Sequence, residues 1–290
     1  MILQQLLNGL VIGIGYALAA LGFSMIFGVL RVINFAHGNV YMVGALAGLT
    51  AARYCGKNLY VAMVAAMISG ALLGLILERI IFRPVRHQGT FAGLLTSTGA
   101  LFALGIIGML IWGASPLPYD VVLPEWYWEI GDVTIYYMQV FMLVCGLAVM
   151  GVLWWIVNRT HIGIAMRALS HSTAVSQLMG IDVNRVTQFT LAVSSAIAAL
   201  AGVLISAYYG IITVHVGFLA GIKAFTAAVI GGIGSISGSL VGGVLLGLIE
   251  GLAAGYISSS YREAIAFLIL TLVLLIRPQG LFRIGGEQKM

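Results

Sequence analysis

The sequence predicts an all-α, polytopic membrane protein with eight to nine membrane segments, some of them broken or re-entrant helices. Two features of its composition indicate this fold class. Of the 290 residues, 61% are hydrophobic and 8% are charged. The mean hydropathy of +1.08 lies far above the range of a soluble domain of this size. A third feature is that long apolar segments recur along the whole chain, so we expect residues 1–290 to form one transmembrane domain.

Eight apolar segments are candidates for crossing the membrane. Six of them are counted as single spans, which need roughly 20 residues each. The segment 35–52 is slightly short, and 221–255 is too long for one span, which gives eight or nine segments. The full set is 6–30, 35–52, 59–82, 91–112, 137–157, 188–209, 221–255 and 264–276.

The charges of the loops predict the orientation. The basic stretches are 83–87, 158–187 and the tail that contains Arg277, Arg283 and Lys289. Because cytoplasmic loops carry an excess of Lys and Arg, we place these stretches inside, with 158–187 as a cytoplasmic loop. The same assignment puts the N-terminus outside.

Loop 115–136 contains no Lys or Arg and is therefore predicted to be periplasmic. Its prolines exclude a long helix, and its aromatic run 126–128 fits the aromatic belt of a membrane interface. This loop either anchors the chain at the membrane interface or forms part of a landing surface for an external partner. Its carboxylates are Asp120, Glu125, Glu129 and Asp132.

Four basic residues fall on the predicted outer side. Lys223 is one of them. The other three are candidates for docking a binding protein, chosen only for their sign and side: Arg53, Lys57 and Arg262.

The longest polar interruption, 158–187, predicts two short helices rather than a span. Ser172 or Thr173 can cap the start of the second helix, and Gly180 can occupy the left-handed position after its end. Its apolar residues fall on one face of a helix only about 10 Å long, which is predicted to lie along the membrane surface. Such a helix is a docking element for a partner or an ordinary surface helix. The apolar residues are Ala174, Val175, Leu178 and Met179.

Two stretches break the span pattern. In 31–39, Asn34, His37 and Asn39 stand among apolar residues and beside Gly38. Unpaired polar groups at membrane depth are costly, so this stretch is expected to face protein or a water-filled cavity. His37 is then either a hydrogen-bonded structural residue or a ligand for cargo.

The second break, 231–239, is rich in glycine and serine and separates two apolar runs. We predict that 221–255 enters from outside, breaks near the bilayer interior and returns, with Ser237 or Ser239 capping its second helix. Broken helices of this kind coordinate cargo or bend in transporters, and a selectivity loop is the alternative.

Several motifs point to close packing or to the membrane boundary. Glycines at four-residue spacing, such as Gly243 to Gly255, predict tight helix packing within the chain or against a second subunit. Hydroxyls inside spans either bond back to their own helix or line a path. The acidic and basic residues at span ends are expected to snorkel or pair at the interface: Glu78, Arg79, Glu250, Arg262 and Glu263.

The sequence lacks the motifs of an enzyme. It has no GxxxxGK[ST] phosphate loop, no HExxH, no GxSxG and no clustered Cys and His ligands, so we expect no ATP hydrolysis, no catalytic residues, no metal and no cofactor in this chain. The sequence also lacks the acidic relay through the membrane centre that is expected of many proton-driven carriers. The net charge of +5 is explained by lipid headgroups rather than by nucleic acid. These exclusions favour a membrane subunit that another protein energises.

Five motifs in order resemble the LivH-type permeases of branched-chain amino acid ABC importers, the HAAT family. The resemblance runs along the whole chain, through 31–45, 78–84, 167–182, 229–238 and 277–282. It implies a permease domain in a bacterial inner membrane with a LivM-type second permease, two ATPase subunits that use ATP and Mg²⁺, and a periplasmic substrate-binding protein.

By the same resemblance, the helix at 174–180 is a coupling helix that sits in a cleft of an ATPase subunit. One departure is local, because Thr173, Ala174 and Val175 stand where the general importer motif begins with an acidic residue and two alanines. The residues assigned to ATPase coupling are Arg167, Ser172, Thr173, Ala174, Val175, Leu178, Gly180 and Asp182.

The function that follows is the alternating-access import of branched-chain or other hydrophobic amino acids, or of a related small polar solute. Members of the resembled family also carry urea, short amides and aromatic acids. A passive channel for urea or amides is the first alternative, and an integral membrane enzyme is the second. The residues assigned to the substrate pathway are Asn34, Phe35, His37, Gly38, Ser97, Thr98, Ser194, Gly232, Gly234 and Ser235.

Overall fold

The computed structural model describes residues 2–124, 126–131, 133–256, 258, 261–277 and 280–282. Within these ranges the chain is built almost entirely of helices, as the sequence predicts. In chain order they are α1 (Ile2–Leu30), α2 (His37–Tyr54), α3 (Leu59–Leu77), α4 (Arg83–Val85), α5 (Thr90–Trp112), α6 (Tyr137–Arg159), α7 (His161–His171), α8 (Thr173–Leu178), α9 (Val183–Tyr209), α10 (Val216–Gly231), α11 (Ile236–Tyr256) and α12 (Arg262–Ile276). A single π-helical stretch, Glu78–Phe82, joins α3 to α4.

In the part of the chain that the structure describes, four short strands lie in the connections between helices. They are β1 (Leu117–Pro118), β2 (Tyr127–Ile130), β3 (Val133–Tyr136) and β4 (Ile211–Ile212). Strands β2 and β3 form an antiparallel hairpin in loop 115–136, and β1 pairs antiparallel with β4. The loop that was predicted to lack a long helix is thus ordered by strand pairing.

Six described helices are long and apolar enough to cross a membrane: α1, α3 with its extension to Val85, α5, α6, α9 and α11. This confirms the prediction of an all-α, polytopic membrane protein, whereas the count of eight or nine segments stays a prediction. Helix α10 is shorter, with 16 residues, and α12 has 15. Helix α2 has 18 residues and begins inside the bundle rather than at its edge, where Gly38 contacts α10.

Helices α1 to α3 and α9 to α11 pack in the same way but run in opposite directions. Helix α1 packs antiparallel on α11, and α9 packs antiparallel on α3. Helix α2 packs on α3 and α9, whereas α10 packs on α11 and α1. Helix α5 contacts α2, as α12 contacts α10. Such an inverted pair of repeats is a common architecture of membrane transporters.

The glycine row on α11 packs against α1 of the same chain. A Cβ atom added at Gly247 would lie 2.3 Å from Cα of Gly13, and one at Gly251 would lie 2.7 Å from Cα of Gly9. The two backbones therefore approach too closely for any side chain. Because lipid tails are as apolar as leucine, this close backbone contact is what joins helices in a membrane.

The core lies around α1 and α9. In their most apolar windows, 83% and 78% of the residues are buried, compared with 22 to 28% for α3, α5 and α6. The latter helices therefore form the periphery of this chain. Their outward side chains are predominantly large and apolar, such as Leu72, Phe102 and Leu147.

The two ends of α1 contact opposite loops. The Gln4 side chain exchanges two hydrogen bonds with the backbone of Thr134, in the β2–β3 hairpin. The Arg31 guanidinium donates to the carbonyl of Ser170, in α7. The N-terminus and loop 115–136 thus share one side of the bundle, and Arg31 and loop 158–187 share the other, as the loop charges predict.

The prediction for 221–255 is wrong in its geometry. Helix α10 begins in the bundle interior, not at the outer surface, and the break lies near the far end of α1, where Gly234 contacts Gly28. The break is also shorter than expected, at 232–235, and Ser235 rather than Ser237 or Ser239 accepts the capping hydrogen bond, from the N–H of Gly238. Hydropathy cannot separate a re-entrant loop from a half-helix followed by a full span, because both have the same composition.

Candidate functional site

Two half-helices, α2 and α10, begin face to face inside the bundle. The His37 Nε2 atom lies 3.2 Å from the carbonyl oxygen of Ala19, near the middle of α1. A Cβ atom at Gly38 would lie 2.1 Å from the carbonyl oxygen of Gly217 and 2.6 Å from Cα of Gly221. The positive ends of two helix dipoles therefore meet in the interior, an arrangement that suits anionic groups. We call this meeting point the half-helix junction.

Residues 31–36 lead back from the end of α1 to the half-helix junction. The turn starts at Arg31, whose φ of 56° is in the left-handed region. The Ser97 hydroxyl then accepts from the N–H of Phe35 at 3.4 Å, and its one proton can be donated to the carbonyl of Ile33 at 3.1 Å or of Leu94 at 2.9 Å. Ser97 therefore supports the irregular backbone, which has no helix of its own to satisfy it.

Asn34 and His37 have hydrogen-bonding capacity that the described chain leaves unused. Asn34 is 2% exposed and His37 is 1% exposed, yet both amide atoms of Asn34 and the Nδ1 of His37 have no hydrogen-bond partner. An unsatisfied buried polar group costs roughly 1–3 kcal/mol. These three atoms therefore keep a capacity for hydrogen bonding that no described residue uses.

Aromatic rings lie beside these polar groups. The ring of Phe23 is 6.1 Å from that of His37 and 5.5 Å from that of Phe225, and Phe225 is 6.4 Å from Phe35. Phe35 and Phe225 are partly exposed. The junction thus combines an apolar surface with unpaired amide and imidazole atoms, which suits a small solute that has both an apolar and a polar part.

His215 is the residue before α10, one position earlier than His37, which is the first residue of α2, and unlike His37 it is exposed. The sequence reasoning missed it. The signal that could have found it is the same one that found His37, because His215 and Thr213 stand among apolar neighbours in the run 211–220.

A buried ion pair lies between α10, α11 and α1, and the sequence reasoning missed this too. The Lys223 ammonium is 2.6 Å from the Glu250 carboxylate, with 12% and 2% of their side chains exposed. The Tyr16 hydroxyl donates to Glu250 at 2.6 Å and accepts from Lys223 at 3.0 Å. The predictions that Glu250 lies at the membrane boundary and Lys223 outside are therefore wrong. Each helix buries its charge against the other, which a single-helix pattern cannot show.

The remaining pathway candidates do not join the half-helix junction through their side chains. The hydroxyls of Thr98 and Ser194 bond back to Leu94 and Leu191 of their own helices. Gly234 donates its N–H to the Ser24 hydroxyl at 3.4 Å, one to two turns nearer the end of α1 than Ala19. Gly232 and Ser235 belong to the same turn, which Gly280 contacts.

The closing segment covers the end of α10. The N–H groups of Leu281 and Phe282 donate to the carbonyls of Ile230 and Gly231, at 2.8 and 3.0 Å. These carbonyls are among the last ones of α10, which have no partner within the helix. Residues 278 and 279 of the same motif, and the tail residues Arg283 and Lys289, lie outside the described residues.

The short helix α8 forms as predicted, and its cap is Ser172, whose hydroxyl accepts from the N–H of Val175 at 3.3 Å. Gly180 follows the helix with a φ of 81°. The apolar side chains of α8 point away from this chain: Val175 is 58% exposed, Leu178 87% and Met179 78%. Thr173 and Ala174 are exposed as well. Helix α8 therefore presents an uncovered apolar face outside the spans.

The segment around α8 is held firmly by the rest of the chain. The Arg167 guanidinium donates to the carbonyl of Val157, at the end of α6. The Asp182 carboxylate caps α9 by accepting from the N–H groups of Asn184 and Arg185, at 3.0 and 3.2 Å. Arg167 and Asp182 thus fix the position of α8, whereas Val175, Leu178 and Met179 are the residues free to contact a partner.

On the opposite side of the bundle, two docking candidates pair with a carboxylate of loop 115–136. Arg53 lies 3.2 Å from Asp120 and Lys57 lies 2.6 Å from it. The third candidate, Arg262, donates to the Tyr209 hydroxyl at 3.3 Å. Glu129 is exposed, whereas Glu125 and Asp132 lie outside the described residues. Loop 115–136 is thus tied to the α2–α3 connection by ion pairs.

The Asp120 cluster predicts a pH dependence. The hydrogen bond from Lys57, with a second from Arg53, lowers the pKa of Asp120, although partial desolvation opposes this. A lowered pKa in the folded state gives stability that is present above the unfolded value of about 3.9 and is lost as the pH falls through the folded value. We expect Asp120→Asn to cost at most about 1 kcal/mol, since the pair is solvent-exposed. The difference in thermal stability from the wild type should be constant from about pH 5 to 7 and vanish in acid; a difference that grows in acid would contradict the assignment.

The helices, the half-helix junction inside them and the apolar surface around them define a multi-pass membrane protein. A family model described as the permease component of branched-chain amino acid transport systems matches residues 5–275. The chain therefore belongs to this family of permeases, and the resemblance drawn from its motifs is confirmed.

Individual relatives agree with this assignment. The chain is 37% identical to the high-affinity branched-chain amino acid transport system permease protein LivH of Escherichia coli (strain K12), over 96% of this chain and 94% of that protein. It is 38% identical to the corresponding protein BraD of Pseudomonas aeruginosa, over 96% and 95%. A solved structure, PsaBC from Streptococcus pneumoniae in complex with Fab, is similar in fold, with a TM-score of 0.54 at 17% identity over 94% of this chain and 91% of that chain.

Proposed function

We propose that this chain is the substrate-translocating permease subunit of an ATP-driven importer in a bacterial inner membrane. It would pair with a LivM-type permease, two ATPase subunits and a periplasmic binding protein, and the ATP and Mg²⁺ would be used by the ATPase subunits. The observation that carries the proposal is the apolar face of α8. Val175, Leu178 and Met179 are exposed on this chain and lie outside the spans, and an apolar face that the chain itself leaves uncovered is typical of a surface that binds a protein partner.

The proposed mechanism is alternating access driven through α8. Residues 179–182 join α8 directly to α9, a helix of 27 residues that packs against α1, α2 and α3. When the ATPase subunits approach each other, α8 is displaced with them, and α9 shifts as a rigid rod. Because α2 packs on α9, the half-helix junction then opens on one side as it closes on the other.

The proposed cargo is a branched-chain or other hydrophobic amino acid. Its apolar side chain matches the rings of Phe35 and Phe225, and its carboxylate matches the positive helix ends at the half-helix junction. The unpaired amide of Asn34 and the Nδ1 of His37 would complete the polar contacts. The names of the LivH and BraD relatives agree with this class of cargo.

The test is to place a charge on the apolar face of α8. We expect Leu178→Asp to reduce ATP-dependent uptake at least tenfold, because burying an unpaired carboxylate in an apolar cleft costs several kcal/mol, while the protein still inserts. The measurement is uptake of labelled leucine into proteoliposomes that hold the complete transporter and the binding protein. His161→Asp adds the same charge in the same loop, at an exposed residue of α7 rather than α8, and is the matched control.

Two results would contradict the proposal. One is normal uptake with Leu178→Asp. The other is solute flux through liposomes that contain this chain alone, which a passive channel for urea or amides predicts and a permease subunit does not.

A further inference from the structure

Glu78, in the π-helical stretch after α3, has a carboxylate with no solvent exposure at all. It lies 3.4 Å from the Arg83 guanidinium and 2.8 Å from that of Arg86. The sequence predicts that Glu78 snorkels or pairs at the interface, and its partners in the structure are Arg83 and Arg86, one to two turns further on. A buried carboxylate needs such partners, because without them its desolvation would cost several kcal/mol.

Arg86 also reaches a second element, the first two turns of α9. Its Nη1 donates to the Asn184 side-chain oxygen at 2.9 Å, and its Nη2 donates to the Thr187 hydroxyl at 2.7 Å. Only 16% of the Arg86 side chain is exposed. The planar guanidinium therefore joins the end of α3 to the start of α9 through several fixed hydrogen bonds, which a lysine could not reproduce.

This contact lies directly behind α8. Residues Asp182 and Asn184 follow the helix in the chain, and they line a pocket of about 380 Å³ together with Arg86, His87 and Gln177. Gln177 belongs to α8 itself. A displacement of α8 therefore reaches Asn184 and Arg86 before it reaches any part of the membrane interior.

The two helices that Arg86 joins enclose the half-helix α2. A Cβ atom at Gly44 of α2 would lie 2.2 Å from the Ala199 side chain of α9 and 3.6 Å from the Ala66 carbonyl of α3. One at Gly48 would lie 2.5 Å from the carbonyl of Ala62 and 3.2 Å from the Val203 side chain. Helix α2 has no free space on either side, so it follows α3 and α9 when they move together.

We propose that Arg86 is a positioning residue for coupling, which makes α3 move with α9 and so carries the displacement of α8 to the half-helix junction. This rests on the proposed importer function. Buried ion pairs are often no more stabilising than apolar residues of the same size, so stability alone does not explain the contact of Arg86 with Glu78, Asn184 and Thr187. Without it, α3 and α9 still pack on each other within the bundle, but their ends nearest α8 are no longer fixed together, so part of the displacement of α8 does not reach α2.

The test measures how much leucine is transported per ATP hydrolysed by the complete transporter in proteoliposomes. We expect Arg86→Gln to lower this ratio about tenfold, within the 5- to 150-fold range of typical coupling between sites, while ATP hydrolysis continues. Arg86→Lys keeps a charge beside Glu78 but cannot reach α9 with a planar fork, so its ratio should be intermediate. Arg185→Gln is the matched control, because Arg185 is 86% exposed and pairs with Asp182; its ratio should equal that of the wild type.

A second variant protects the test from a folding defect. Asn184→Ala combined with Thr187→Val leaves the buried pair of Glu78 and Arg86 intact and removes only the link to α9, so the transporter should assemble and show the same low ratio. A wild-type ratio in this double variant would overturn the proposal, whatever Arg86→Gln does. That result would not contradict the proposed importer function, which the Leu178→Asp variant tests separately.

Discussion

Replacing Lys223 with methionine is expected to lower the free energy of unfolding by about 3–5 kcal/mol, the usual cost of leaving one member of a buried ion pair alone. Glu250 is 2% exposed and would keep only the Tyr16 hydroxyl as a partner. The measurement is thermal unfolding of the purified protein in detergent. Since the pair joins α10 to α11, the same variant should also insert and assemble poorly.

The double variant Lys223→Met with Glu250→Gln is the informative companion. It removes both charges, and we expect it to recover most of the lost stability, because a neutral side chain of similar size leaves no buried charge without a partner. Arg185→Met, which breaks an exposed pair with Asp182, should change stability by less than about 1 kcal/mol. If Lys223→Met alone were as stable as the wild type, the charges would have to be hydrated, and the buried placement of Glu250 would be wrong.

The variant Gly38→Ala is expected to abolish uptake. Its added methyl would lie 2.1 Å from the carbonyl oxygen of Gly217, a backbone atom that cannot turn aside, so α2 and α10 would have to separate. Overpacking of this kind typically costs about 1–3 kcal/mol, and here the displaced elements are the two half-helices themselves. Uptake by the complete transporter and thermal stability in detergent are the two readouts.

Gly99→Ala provides the control for Gly38→Ala. Gly99 is also helical, in α5, but a Cβ atom there would meet nothing within 4 Å. The same substitution should therefore be neutral or stabilising by up to about 1 kcal/mol, since alanine favours a helix over glycine. Normal uptake by Gly38→Ala would show that the close contact of α2 and α10 has no role in transport.

Local features of the fold could be predicted from the sequence because their causes are local. The start and end of α8 follow from Ser172 and Gly180, which lie within a few residues of the helix they terminate. Asn34 and His37 stood out because polar residues among apolar neighbours need an explanation at membrane depth. The family could be predicted as well, because five motifs in order are specific.

The predictions that failed depended on how the helices are placed against each other. Lys223 and Glu250 are on different helices, and neither pattern alone shows that the two side chains meet. The start of α10 inside the bundle was missed for a related reason. Hydropathy reports the length of an apolar stretch but not its depth, and the contact of Gly38 with Gly217 joins residues 179 positions apart.

The pairing of α1 with α11 has a consequence for how the chain is made. Helix α1 leaves the ribosome first, yet the glycine row that it fits is synthesised more than 200 residues later. Until then, Gly9 and Gly13 can contact only lipid or other early helices, so the pairing of α1 with α11 forms late, after α2 and α3 can already pack on each other. A polypeptide truncated before residue 236 would therefore lack the partner of Gly9 and Gly13 and leave this face of α1 uncovered.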